Sequence, residues 1–160
     1  MVERDSTLHL LKQSAEDLVR EVGLTPPEAR QWRTKPGEWS LHECLVHLRD
    51  IECQVFLPRL RRMIAEERPW MANFDEATYH REHWNADEPA DAILAQYVNA
   101  RNEIVELMAG APDWARPGVH ETRGPITLGW QVEYALGHTW EHLSQIMRVR
   151  LAREISANAA

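Results

Sequence analysis

The sequence predicts an all-α protein, a four-helix bundle with long connections between its helices. Three observations carry this. Four long stretches repeat apolar residues with a helical period. Each is bounded by capping residues, glycine or proline. No stretch shows a strand pattern longer than a few residues, and there is no internal repeat. A chain of 160 residues is enough for one full core, so residues 1–160 are read as a single domain.

The first helix spans Asp5 to Val22, with Leu8, Leu11, Ala15, Leu18, Val19 and Val22 on one face. Gly23 stops it and Pro26-Pro27 follows. Residues 25–38 hold three prolines and Gly37, so they form a connection, with one turn expected near Glu28 to Trp32. Ser40 opens the second helix. With Glu43 three residues on, it makes a capping box, in which each side chain satisfies a free backbone N–H. This helix runs to about Glu67, and Pro58 should kink it, because proline removes one backbone hydrogen bond.

Residues 69–88 are mixed, with a short helix expected over Phe74 to Trp84 and Asp75 near its start. Glu88-Pro89 begins the third long helix, which runs through Ala109. Its face is Ala92, Ile93, Tyr97, Ala100, Ile104, Leu107 and Met108. Gly110 and Pro112 close it. Residues 111–126 show no clear period, and Thr127 then caps a fourth helix to about Ile155. Such a set of amphipathic helices packs as a bundle. The long middle connections leave simple up-down-up-down order unassured.

Composition removes several function classes. A net charge of -7 opposes nucleic acid as a partner, since phosphate binding needs a basic surface. Arg59, Arg61 and Arg62 form a small exception, read as a solvated helix face. No apolar segment is long enough for a bilayer, and the charged start Met1 to Asp5 lacks a signal core. Cys44 and Cys53 fall on one predicted helix, too far apart to bond to each other. Without a disulfide framework, a reducing, cytoplasmic setting is expected.

The chemistry concentrates in Gly137-His138-Thr139-Trp140-Glu141-His142-Leu143-Ser144-Gln145-Ile146. Its two histidines are four residues apart and stack on one helix face. Two imidazoles so placed can share a metal ion, with nitrogens about 2.0–2.1 Å from it. Unrolled at about 100° per residue, the fourth helix turns Leu128, Val132, Ala135, Leu136, Thr139, Leu143, Ile146 and Met147 inward. His142 lies within this arc and His138 at its margin. On the second helix Leu41, Cys44, Leu48, Ile51 and Val55 face inward and His47 borders them, while Glu43, Asp50 and Gln54 lie on the polar side. His47 thus suits a third ligand. Three imidazoles leave a fourth position open, as in catalytic zinc sites. Glu43, Asp50 and Gln145 are the candidates to orient the ligands. Against this stands the plainer possibility of hydrogen-bonded core histidines, in a chain that has eight.

Trp39-Ser40-Leu41-His42-Glu43-Cys44-Leu45-Val46-His47-Leu48-Arg49-Asp50 resembles the W-S-x-x-E-x-x-x-H-L-x-D motif of the DinB/YfiT-like superfamily. Gly137 to Ile146 is similar to that superfamily's H-x-x-x-H-x-x-Q-I segment. Phe74-Asp75-Glu76 and Trp114 to Leu128 also sit where similar proteins carry comparable stretches. The resemblance covers nearly the whole chain. It implies a four-helix bundle, a homodimer, and a divalent metal, zinc or nickel, held by His47, His138 and His142. It also implies transfer of a low-molecular-weight thiol, or metal-assisted hydrolysis, of a small-molecule substrate. The mycothiol-dependent isomerases of that superfamily carry an additional C-terminal domain, so their reaction is not expected here. A metal-dependent ligand-binding or stress protein without turnover is the alternative.

Other features are weaker. His138 to His142 also matches H-x-x-E-H, the inverzincin motif, in which the glutamate activates water. That fold is much larger and needs a further downstream ligand. Glu141 is nevertheless the one sequence-proximal candidate for a catalytic base, although its helical position points it away from the core arc. No Glu-x-x-His pair occurs on the long helices, which disfavours a two-carboxylate di-metal bundle. His9, His42, His80, His83 and His120 are expected on the surface or in loops, with His80 and His120 near a site mouth. Trp39, Trp114 and Trp140 are either helix anchors or walls of an apolar cleft. Cys44 is expected as a buried structural thiol.

Overall fold

The computed structural model describes residues 4–158, so Met1 to Glu3 of the charged N-terminus lie outside the described residues. Four long helical stretches form a bundle. Helix α1 is Arg4–Leu24, and a 3-10 turn follows at Pro27–Ala29. The second stretch is divided into α2 (Leu41–Ile51), a π-helical turn (Glu52–Phe56) and α3 (Leu57–Ala65). A short helix α4 (Glu76–His83) lies in the connection, then come α5 (Ala90–Gly110) and α6 (Leu128–Asn158). Helix α1 packs mainly against α5 and α6, and α2 packs against the same two. The first two helices therefore face each other across the bundle, and simple up-down-up-down order does not hold. No helix among the described residues is long and apolar enough to cross a membrane.

The starts of the helices follow from their capping residues. The Ser40 hydroxyl accepts from Glu43 N–H, while Glu43 accepts from Ser40 N–H at 2.8 Å, completing the capping box. Asp75 accepts from Thr78 N–H at 3.0 Å to open α4, and Thr127 accepts from Trp130 N–H at 3.1 Å to open α6. Each such cap contributes about 1 kcal/mol. Pro58 leaves its mark as a π-turn. It has no N–H to donate back to Gln54, and just before it Leu57 N–H reaches Glu52 O, five residues back.

The connections also hold a small sheet that the sequence pattern did not predict. Strands β1 (Trp70–Met71), β2 (Pro117–His120) and β3 (Gly124–Thr127) lie in that order, β1 parallel and β3 antiparallel to β2. At two to four residues they are too short to show alternation. A Cβ at Gly118 would lie 2.8 Å from the Met71 methyl and 2.9 Å from that of Met63, so a side chain there would displace the ends of both methionines. Gly124, with φ +73°, makes the turn into β3.

Two apolar clusters fill the bundle. One gathers Leu18, Leu45, Leu48, Ile93 and Ile146, the other Phe56, Leu60, Met63, Ile104 and Val132. Between them in position along the helices runs a buried polar layer. Arg101 and Glu52, 0% and 1% exposed, pair through Nε–Oε1 at 2.5 Å. Arg101 also donates to Thr139 Oγ1 at 2.8 Å and Ser14 Oγ at 3.3 Å.

Candidate metal centre

Helix α2 contributes His47 and helix α6 contributes His138 and His142. One ring nitrogen from each lies within 4.8 Å of the other two. His47 Nε2 and His138 Nε2 are 3.1 Å apart. Two nitrogens sharing a tetrahedral ion at about 2.0–2.1 Å would be about 3.3 Å apart, so the donor set fits a metal ion in both chemistry and spacing. Gln145 Oε1 lies 3.0 Å from His142 Nδ1. Accepting from that N–H, it fixes the tautomer whose Nε2 is free to ligate.

Burial sets the protonation of the cluster. It drives the His47 pKa down to about 3, with the neighbouring charges of His142, His138 and His80 adding to the effect. His138 is also lowered to about 3, by burial first and then by His142 and Arg101. Burial lowers His142 as well, against the opposing bond to Gln145. All three rings are thus neutral at neutral pH, which is the form that ligates.

Aromatic rings frame the histidines. Trp39 lies 5.0 Å from the His47 ring and 6.0 Å from that of His142, between centroids. Phe56, in the π-turn, meets His138 edge-on at 5.5 Å. Trp39 thus stands at the site, whereas Trp114 is half-buried against one core cluster and Trp140 is on the exposed face of α6.

The sequence-predicted neighbours separate clearly. Gln145 touches a ring of the cluster, but Glu43 and Asp50 are engaged elsewhere and both are buried, not on a solvated side. Arg33 takes Glu43 in a two-pronged bond at 2.7 and 2.9 Å, and Arg49 holds Asp50 Oδ1 at 2.6 Å. Glu141 is exposed on α6. The carboxylate beside the cluster is Glu76, at the start of α4, whose Oε2 is 3.6 Å from His47 Nε2. Burial raises its pKa, while Arg123 and Arg59 pull it back down. Phe74-Asp75-Glu76 belongs to the stretches that carry the family resemblance, but nothing in its spacing to His47 signals the contact.

Three of the five remaining histidines, His42, His80 and His120, are buried, contrary to the surface expectation, although His80 and His120 do lie in the connections beside the site. His42 Nε2 lies 2.8 Å from Glu88 O, and its Nδ1 accepts from the Trp84 indole at 3.3 Å. His80 stacks on Trp39 at 4.5 Å, and neither of its ring nitrogens has a hydrogen-bond partner among the described residues. His120 sits in β2. Each is buried by a connection folding over the bundle, a contact that the helical period does not encode. His9 and His83 are exposed. Cys44 is buried, and burial pushes its thiol up to about 12, so it is no nucleophile.

Comparison with curated protein sequences finds no match. Among solved structures, YfiT from Bacillus subtilis, described as a probable metal-dependent hydrolase with an unusual four-helix bundle topology, is similar with a TM-score of 0.84. The two share 18% identity over 96% of this chain and 88% of YfiT. TT2238, a four-helix bundle protein, aligns with a TM-score of 0.66 and 19% identity over 91% of this chain and 99% of its own. These likenesses establish the fold. The sequence model of the DinB superfamily matches residues 10–146, nearly the whole bundle including all three histidines, and the chain belongs to that superfamily.

Proposed function

We propose that the chain is a metal-dependent enzyme that hydrolyses a small molecule, with His47, His138 and His142 as ligands of one divalent ion, zinc or nickel. The observation that carries this is the convergence of three neutral imidazoles from two helices. Among the described residues no fourth histidine or cysteine joins them. A three-ligand set leaves a coordination position for chemistry, whereas a structural site closes it. When bound, such an ion supplies Lewis-acid chemistry: polarisation of a substrate oxygen and a nucleophile at neutral pH.

The rest falls to the chain's own residues. Gln145 holds the His142 ring in its ligating tautomer. Glu76, at 3.6 Å from His47 Nε2, is placed to take a proton from the attacking group and return it to the leaving group. Trp39 and Phe56 cover two sides of the histidines and keep water off them. A low-molecular-weight thiol in place of water would turn the same arrangement to group transfer.

The test is metal analysis followed by a substrate screen. Protein purified without a histidine tag should carry close to one ion per chain, and the His138→Ala/His142→Ala double variant should carry almost none. Small esters and amides, with and without thiol cosubstrates, should be turned over by the loaded protein. Glu76→Gln should slow turnover by about 10²–10⁴-fold with the metal retained. Turnover surviving unchanged in metal-free protein and in His47→Ala would overturn the proposal.

A further inference from the structure

A cavity of about 70 Å³ lies beside the histidine cluster, with Phe56 and Glu76 between the two. Its lining includes Phe56, Arg59, Glu76, His120, Arg123 and Tyr134. Three of these join it to the cluster. Phe56 packs on the His138 ring, Glu76 reaches His47, and Tyr134 stands one turn before His138 on α6. A space of this size exceeds what one water needs, about 10–15 Å³, and suits a carboxylate or phosphate head.

Two guanidinium groups converge on it. Arg59 comes from α3 and is half-buried, and its one hydrogen bond among the described residues is to Ala72 O at 2.6 Å. Arg123 comes from the β2–β3 turn, lies over the Tyr134 ring at 4.5 Å and donates to the Tyr134 hydroxyl at 2.7 Å. Neither forms an ion pair among the described residues, although Glu76 lines the same cavity. Burial first, and then the charge of Arg123, hold the Arg59 pKa below its usual value. Burial first, and then both arginine charges, do the same to His120, whose Nε2 lies 3.5 Å from an Arg123 guanidinium nitrogen. The lining therefore carries two positive charges against one negative, in a protein whose overall charge is -7. Guanidinium forks match the paired oxygens of carboxylates and phosphates.

We propose that this cavity is an oxyanion subsite, in which Arg59 and Arg123 take the carboxylate or phosphate of an anionic substrate whose reacting bond lies at the three histidines. The proposal rests on the metal-centre reading for its second half and names the substrate class for that reaction. Glu76 lies at the boundary of the two halves, beside the cluster and on the cavity wall.

The experiment is calorimetric titration of the protein as purified with succinate, inorganic phosphate and the neutral control succinamide, with metal content measured on the same samples. Saturable binding of succinate or phosphate is expected, with no succinamide binding, and the two anions separate the carboxylate from the phosphate source. Arg59→Gln and Arg123→Gln should each weaken binding about tenfold or more, with far-UV circular dichroism and metal content unchanged. Arg123→Lys, at an exposed position, should keep part of the affinity. No saturable anion binding, or equal affinity in wild type and both glutamine variants, overturns the subsite. Metal near one per chain alongside that result leaves the metal centre standing. Arginine-dependent anion binding in a protein that holds no metal supports the subsite and sinks the metal centre instead.

Discussion

Replacing Arg101 with methionine is the sharpest test of how the bundle is held together. The change removes the partner of Glu52, a carboxylate 1% exposed and bound by two guanidinium nitrogens at 2.5 and 3.0 Å. Deleting one member of a buried pair leaves the other charge uncompensated, at a cost of about 3–5 kcal/mol. Thr139 Oγ1 is not orphaned, because it still bonds Ala135 O at 3.2 Å and Tyr97 Oη at 3.1 Å. The loss therefore belongs almost wholly to Glu52. It is a large share of the roughly 5–15 kcal/mol that stabilises an ordinary domain. The double variant Arg101→Met/Glu52→Leu removes both charges and should recover most of the loss, since an apolar replacement of a buried pair is often neutral or better. Urea unfolding of metal-free protein keeps metal linkage out of the comparison. The pH dependence supplies a second check. Burial raises the Glu52 pKa and Arg101 opposes that rise, so the single variant should raise it further. The folded state then binds more protons than the unfolded chain, and the deficit should grow as pH rises above about 4.5, the unfolded glutamate range. A loss under about 1 kcal/mol in Arg101→Met, or a double variant no more stable than the single, would refute the reasoning.

Three further outcomes follow from the site and from the family. Gln145→Ala should weaken metal affinity about 10–100-fold, the usual effect of losing a ligand's hydrogen-bond partner; chelator competition that finds wild-type affinity would contradict the role of the 3.0 Å contact. In metal-free protein, His47 and His138 have folded pKa values of about 3, below the unfolded value of 6.5, so the unfolded chain binds more protons between those limits. Their contribution to stability is full above pH 6.5 and declines as pH falls toward 3, and His47→Gln should flatten that decline in acid titrations of urea midpoints. We also propose a homodimer, as the superfamily resemblance implies; sedimentation at micromolar concentration should show twice the 18.6 kDa chain mass, and a monomer would end that proposal.

The fold was legible where local chemistry decides it. Ser40 and Glu43 announced a helix start because the capping box acts within three residues. Pro58 announced a break because the missing N–H is a property of the residue itself, although not that the break would be a π-turn holding Glu52 toward Arg101. The sheet was illegible for the opposite reason. Its pairing joins Trp70 to Val119, far apart in sequence, through strands too short for any period.

The site divides along the same line. His138 and His142 were visible because a four-residue spacing on a helix fixes adjacency, and His47 because its burial margin could be read from its own helix. Glu76, Arg59 and Arg123 were not, since they reach the cluster or its cavity from a connection, α3 and a turn whose placement is a tertiary matter; His80 could be set near the site mouth from its connection, but not stacked on Trp39. This has a functional consequence. The helices fix the three nitrogens, while Glu76 and Arg123 hang on segments that can vary without disturbing the bundle, and Arg59 reaches the cavity from α3. On the reading proposed above, one bundle with one metal set serves different substrates, and Arg59 and Arg123 direct this chain toward an anion.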